Sequence, residues 1–518
     1  MKSFLLSLVL VTIGSLTAAE RPNFVVINID DMGYADVGCF GSTLNRTPNI
    51  DRMAAEGMKL KSHYAAPVCS PSRSSLMTGC YPKRVLPIPH VLFPGSAVGL
   101  NPKEETVAEI LKSAGYATQM VGKWHLGDQP GMLPTAQGFD HYFGIPYSND
   151  MGTAAEGSKS SLGDPLPEVK PAPGGPVAET GITGNNQPPL PLVRDGKVVE
   201  RVKADGQQSI TQRYTEEAVK FIRESKDKSF FLYLPHNAVH FPLYPGKAFH
   251  TKSKNGTYGD WVEEVDWSVG QVLDTLRELK LDAKTMVIFT SDNGGTPRAV
   301  NAPLRGFKAS TWEGGMRVPT IAWWPGHIAA GTQTDEITSM MDVLPTFASL
   351  AGAKLPENRI DGANLWPLLS SKGDAKGPHD VFYYYRGFKL EAVRSGPWKL
   401  QLAGADAKMS VTANAKQQDN AKQKNKGKQN AKTTAKSTAS GEKTSYPKLY
   451  NLADDIGESK DVAAANPDVV KRLQSLAEQM KDDLGLDGIG PGCRELGRVA
   501  NPEPLIHVDG SIRGGFAP

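Results

Sequence analysis

One short run carries the strongest chemical signal in the chain: Cys69-Ser70-Pro71-Ser72-Arg73-Ser74-Ser75-Leu76-Met77-Thr78-Gly79. Proline at a first helical position, followed by serine and arginine, predicts a loop feeding a helix N-terminus. The free N–H groups and partial positive charge of such a start bind anions. A cysteine there is expected to have a lowered pKa. A lone cysteine is more often a half-buried structural thiol, but Arg73 and the acidic pairs Asp30-Asp31 and Asp292-Asn293 weigh against that reading. Singly, each acidic pair also reads as a strand-end turn or a helix cap.

The elements that must position these groups form an α/β pattern. Phe24 to Ile29, Phe230 to Leu234, Met286 to Phe289 and Ile321 to Trp324 are near-continuous apolar runs. Such strands, separated by helical stretches, predict a sheet covered on both faces. The helical stretches include Thr106 to Ala114, Thr215 to Glu224 and Asp260 to Leu279. Asp30 and Asp31 follow the first strand, His236 follows the Phe230 strand, and Asp292 and Asn293 follow the Met286 strand. Functional groups collect at the carboxyl ends of strands in open α/β sheets, so these three sets are expected to converge on one rim.

Residues 163 to 206 are rich in proline and glycine and are expected to form long surface loops near the site. Beyond Leu369 the pattern changes. Val381 to Arg386 and Ala392 to Leu402 predict strands of a small antiparallel sheet. Pro467 to Leu484 predicts an amphipathic helix, with Val469, Leu473, Leu476 and Met480 at helical spacing as core contacts.

The Cys69 run resembles the sulfatase signature C-x-P-S-R-x-x-x-x-T-G at every defined position. The wider resemblance is to the arylsulfatase A-like, formylglycine-dependent sulfatases of the alkaline phosphatase superfamily. It covers Arg21 to about Leu484. Further blocks with the family's pattern are Asn28-Ile29-Asp30-Asp31-Met32-Gly33, Gly122-Lys123-Trp124-His125-Leu126-Gly127, Ser291-Asp292-Asn293-Gly294-Gly295 and Trp312-Glu313-Gly314-Gly315.

The resemblance implies a large mixed, mostly parallel sheet sandwiched by helices, with a smaller C-terminal α+β subdomain. It implies that Cys69 is oxidised to formylglycine (3-oxoalanine) by a maturation enzyme. The hydrated aldehyde would attack sulfur with one hydroxyl and release sulfate with the other, which divides covalent catalysis into two easier steps. Asp30, Asp31, Asp292 and Asn293, with the modified Cys69, resemble metal ligands. Their oxygen donors suit a hard divalent cation, and the resemblance implies calcium rather than magnesium. Arg73, Lys123 and Lys308 resemble the cations that stabilise charge on the sulfate oxygens. His125 resembles the base that deprotonates the diol, and His240 the acid that protonates the leaving oxygen. Ser148 resembles a sulfate-contacting serine. His236 reads equally as a substrate contact and as a structural histidine.

Composition bounds the alternatives. The chain has 518 residues with 58 basic and 55 acidic side chains, a net charge of +3. That near balance argues against a dedicated nucleic-acid binder. Lys2, the apolar run Phe4 to Ile13 and the small residues Leu16-Thr17-Ala18-Ala19 predict a signal peptide over residues 1–19. No later stretch is apolar enough to span a bilayer, so a periplasmic or secreted protein is expected. The expected division is a catalytic domain over 20–370 and a C-terminal subdomain over 371–518.

Residues 408–443 hold nine lysines against Asp419 and Glu442 and no aromatic residue, which predicts a disordered insert at about 404–445. Such an insert could make weak contact with polyanions. Asn45 and Asn255 lie in glycosylation sequons. Cys80 stands where many family members carry arginine, and it could pair with Cys493 or Cys39. Two other functions fit the residues less fully. One is a phosphomonoester, phosphodiester or phosphonate hydrolase of the same superfamily. The other is an inactive sulfatase fold that binds sulfated polymers.

Overall fold

The computed structural model describes residues 21–168, 178–372, 375–405 and 445–518. The expected signal peptide and lysine-rich insert therefore lie outside the described residues. Five parallel neighbours form the middle of an eleven-stranded mixed sheet. They run in the order Thr285–Ser291, Asn23–Ile29, Phe230–Pro235, Ala117–Val121 and His141–Gly144. The first three are buried at every position, which is why their sequences are apolar runs without alternation.

One face of the sheet is covered by helices Ala204–Glu224 and Gly256–Glu278, through Ile210, Tyr214, Phe221, Trp261 and Val265. Helices Cys69–Thr78, Val107–Ser113 and Val343–Ala351 bury Leu76, Leu111 and Phe347 on the other face.

Strand Met58–Tyr64 pairs antiparallel with Ile321–Trp323, which pairs antiparallel with Thr285–Ser291. Two reversals restore the direction. Met58–Tyr64 therefore ends at the same rim as the five central strands, and the chain passes from there into the Cys69 helix.

A separate four-stranded antiparallel sheet runs Val381–Arg386, Lys389–Ser395, Trp398–Gln401, Lys448–Asn451. The stretch from Ala392 to Leu402 is thus two strands, reversed at Gly396 with φ +55°, where the expectation was one. Helix Pro467–Glu478 packs on this sheet. Leu473 and Met480 are buried there, and Val469 and Leu476 partly so.

A buried ionic cluster joins the two sheets. Glu313 accepts hydrogen bonds from Tyr64 and Tyr384 hydroxyls at 2.6 and 2.8 Å. Lys399 Nζ reaches Glu313, Glu458 and the Thr311 carbonyl at 3.0, 2.7 and 2.8 Å.

One expectation needs correction, and two points left open by the sequence are answered. Residues 190–202 are not loop: Leu190–Arg194 and Lys197–Val202 form a hairpin on the sheet edge, and a helix starts at Ala204. Pro188, Pro189 and Pro191 mask that strand in the sequence. No disulfide forms, since all four cysteines are free; Cys80 Sγ instead accepts from Arg494 at 3.2 Å. The Asn45 sequon is buried, its amide bonded to the Asp36 carbonyl at 2.8 Å. Among the described residues, no helix is long and apolar enough to cross a membrane.

Candidate active site

Strand ends build the site. Asp30 and Asp31 leave Asn23–Ile29, and Asp292 and Asn293 leave Thr285–Ser291 beside it. Lys123 and His125 follow Ala117–Val121, and Ser148 follows His141–Gly144. Gly122 makes the Lys123 turn possible. Its φ is +134°, and a Cβ there would lie 1.9 Å from the Pro235 carbonyl oxygen. Asp31 and His125 themselves hold left-handed backbone, at φ +62° and +67°. That conformation is strained for a non-glycine residue and concentrates at functional sites.

Helix Cys69–Thr78 is buried along its whole length and begins at Cys69, two residues before the proline that signalled it. Cys69 Sγ lies 3.3 Å from Lys308 Nζ and 3.5 Å from Asp30 Oδ1. Lys308 Nζ also donates to Asp31 Oδ1 at 2.5 Å, and Lys123 Nζ donates to Asp30 Oδ2. Arg73 donates to Asp292 Oδ2 from Nε and Nη2 at 2.9 and 2.7 Å, and to the Lys123 carbonyl at 2.5 Å. Asn293 Nδ2 donates to Asp31 Oδ1 at 2.8 Å. His240 Nε2 faces Asp31 Oδ2 at 3.7 Å, while its Nδ1 donates to the Phe241 carbonyl at 2.6 Å.

The charges set the protonation states. Burial opposes ionisation of Asp30, but Lys123, His240, Arg73 and Lys308 together hold its carboxyl well below the usual range. Burial and the neighbouring Asp30 charge push Asp292 up against the pull of Arg73. Burial, followed by Lys123 and Arg73, drives His125 well below the usual imidazole range. Its Nε2 donates to the Leu92 carbonyl at 2.8 Å, which leaves Nδ1 as the bare nitrogen. The Cys69 thiol departs from expectation: burial and Asp30 raise it to about 12, outweighing Lys123 and Lys308. The helix start contributes less than desolvation at this depth.

Ten of the twelve expected residues thus gather at one rim: Asp30, Asp31, Cys69, Arg73, Lys123, His125, His240, Asp292, Asn293 and Lys308; Ser148 is buried on the next strand's loop. His236 is turned elsewhere. Its Nε2 pairs with Ser268 Oγ at 3.0 Å and its ring lies 6.2 Å from Tyr214, in the helix–sheet interface. Burial lowers its pKa to about 3.

Asp30, Asp31, Cys69 and His240 bring their ligand atoms within 4.8 Å of one another, a group able to hold a metal ion. Asn293 Oδ1 is buried without a hydrogen-bond partner, so one more oxygen donor is available. The donor set is mostly carboxylate and amide oxygen, which fits a hard divalent cation. The Trp312–Gly315 block supplies no ligand. Gly314 abuts Gly294 so closely that a Cβ on Gly294 would lie 1.9 Å from its carbonyl oxygen, and Glu313 anchors the C-terminal sheet.

Fold and site together define an ester hydrolase of alkaline phosphatase-like architecture, working at the carboxyl rim of its sheet. The sulfatase family model matches residues 22–353, and the model for the C-terminal region of aryl-sulfatase matches residues 377–487. The chain belongs to the sulfatase family, whose members are sulfuric ester hydrolases. It is 36% identical to arylsulfatase A from Homo sapiens, covering 91% of this chain and 90% of that one. It is 34% identical to N-acetylgalactosamine-6-sulfatase from Sus scrofa, covering 95% of each. The solved PsFucS1 sulfatase from Pseudoalteromonas sp. superposes with a TM-score of 0.71 at 27% identity, covering 92% of each chain.

Proposed function

We propose that this sulfatase hydrolyses sulfate monoesters of carbohydrates through a formylglycine made from Cys69, with calcium at the carboxylate cluster. The observation that carries the reading is the setting of Cys69 Sγ, which marks the place of the nucleophilic oxygen. A half-buried lysine and a buried aspartate flank it at 3.3 and 3.5 Å. Sulfated amino sugar in the name of the porcine relative supports the substrate class.

Asp30, Asp31, Asp292 and Asn293 would hold the metal, which supplies positive charge to the ester oxygens. The formylglycine supplies a hydrated aldehyde as nucleophile. Arg73, fixed by two hydrogen bonds to Asp292, orients the cluster and balances its charge. Lys123 and Lys308 are placed to donate to sulfate oxygens as charge develops on them. His125, neutral with a bare Nδ1, accepts a proton at that atom. His240 Nε2, the nitrogen not engaged with Phe241, delivers a proton to the leaving oxygen. Ser148 Oγ, buried and without a partner, is available to a sulfate oxygen.

We read 20–370 as the catalytic domain, 371–518 as the C-terminal subdomain, and the protein as secreted or periplasmic after cleavage at Ala19. The lysine-rich tract 408–443 would give weak, salt-sensitive contact with polyanions. The test is mass spectrometry of the peptide bearing residue 69, alongside sulfate release. An unmodified thiol in active enzyme overturns the mechanism. Chelation should abolish turnover and calcium restore it; recovery by magnesium alone overturns the choice of ion.

A further inference from the structure

Four side chains at the mouth of the site take no part in the chemistry above. Arg298 is exposed, and among the described residues no carboxylate pairs with it. Its guanidinium lies over the Phe241 ring, 5.1 Å from the centroid. Phe241 is half-buried and directly follows His240, the residue placed at the leaving oxygen. Phe307, 42% exposed, directly precedes Lys308. His90 is exposed and close enough to Lys308 to feel its charge.

The loop bearing Arg298 is held on the rim from both ends. Ala35 N donates to the Val300 carbonyl at 2.8 Å, and Val300 N donates to Asp36 Oδ1 at 2.9 Å. Lys308 N donates to the Gly295 carbonyl at 3.0 Å. Arg298 is therefore not a free surface cation. It is a cation laid against an aromatic ring, on a loop tied to the metal-binding segments.

We propose that Arg298, on its Phe241 platform, is a subsite for a second anionic group on the substrate, carried on the leaving-group side of the scissile ester. This rests on the sulfatase reading and deepens it: the substrate is a carbohydrate bearing one scissile sulfate and one further oxyanion. The planar guanidinium matches the paired oxygens of a carboxylate or a sulfate. Phe241 under the guanidinium, and exposed Phe307 next to Lys308, offer apolar surface to a sugar ring. Lys123 and Lys308 are already committed to the first sulfate, and Arg73 to Asp292. Arg298 is a cation left for a second.

The test compares three substrates on wild-type enzyme and on Arg298→Gln. They are N-acetylgalactosamine 6-sulfate, the same sugar linked to glucuronate, and N-acetylgalactosamine 4,6-disulfate. Wild type should favour one or both dianionic substrates over the monosulfate, by about tenfold in kcat/KM and mainly through KM. Arg298→Gln should collapse that ratio towards one, and Arg298→Lys should restore part of it. Because the readout is a ratio on one enzyme, any folding loss cancels. Which arm responds tells carboxylate from sulfate. A ratio near one in wild type, or one that Arg298→Gln leaves intact, overturns the subsite and spares the sulfatase reading. No turnover of any of the three, with no sulfate released from an aryl sulfate, overturns both.

Discussion

This molecule buries two ionic clusters, and they differ in what they leave unpaired. Between the sheets, Lys399 is bonded to Thr311, Glu313 and Glu458, and Glu313 also accepts from Tyr64 and Tyr384. At the rim, cations and acids also meet, but Asn293 Oδ1, His125 Nδ1 and Ser148 Oγ are buried with no protein partner. A buried polar atom without a hydrogen bond costs about 1–3 kcal/mol. The interface has Gln401 Oε1 and Glu458 Oε1 in that state, but Lys399 lies 2.7 Å from the latter, whereas the three rim atoms surround the carboxylates proposed to hold the metal. The interface cluster reads as a joint, and the rim cluster as the proposed binding site.

The largest expected effect separates the two at once. Cys69→Ala should lower sulfate-ester turnover by at least about 10³-fold, since it removes the nucleophile. Its urea midpoint should stay close to wild type. Substantial residual turnover would place the chemistry on another residue.

Lys399→Met should do the reverse. It strands two buried carboxylates and should cost about 3–5 kcal/mol in urea unfolding. Turnover per folded molecule should persist. If activity falls while stability holds, the interface cluster is not the joint described above.

A third effect lies in pH. Burial, only partly offset by Lys399, raises Glu458 from 4.5 to about 7. A carboxyl whose pKa is higher when folded stabilises the fold below 4.5 and loses that contribution as pH rises through 7. Glu313 runs the other way: burial opposes ionisation, but Lys399, Arg317 and Arg394 hold it at about 2. Its contribution is present above 4.5 and is lost as pH falls through 2. Stability should therefore decline between pH 4.5 and 7 by about 3 kcal/mol. Glu458→Gln should flatten that decline, and an unchanged slope would show that another group causes it.

The smallest effect concerns His236. His236→Gln should cost about 1 kcal/mol through the Ser268 contact, with turnover nearly unchanged. A marked rise in KM with unchanged stability would return His236 to the substrate.

Much of the rim was legible beforehand, because the distance from a strand's last residue to the next one is covalent. Once Phe24 to Ile29 is a buried strand, Asp30 and Asp31 must stand at its carboxyl end. The Cys69 run announced its helix for the same local reason. The edge hairpin 190–202 was not legible, because Pro191 within it and Pro188 and Pro189 just before it outweigh a short alternation. Nor was the role of Trp312–Gly315, whose Glu313 finds its partners 71 to 249 residues away in Tyr384 and Tyr64.

The sequence by itself determined which residues end strands, which run opens the buried helix, and which residue types could hold an oxyanion and a cation. Only the tertiary structure decided that the central strand ends lie side by side. It also decided that Arg73 meets Asp292 across 219 residues, that His236 turns into the helix interface, and that burial outweighs the helix start at Cys69. Propensity and periodicity act between neighbours a few residues apart. Desolvation and charge pairing are sums over every group that folding brings within reach, and the order of the chain does not state them.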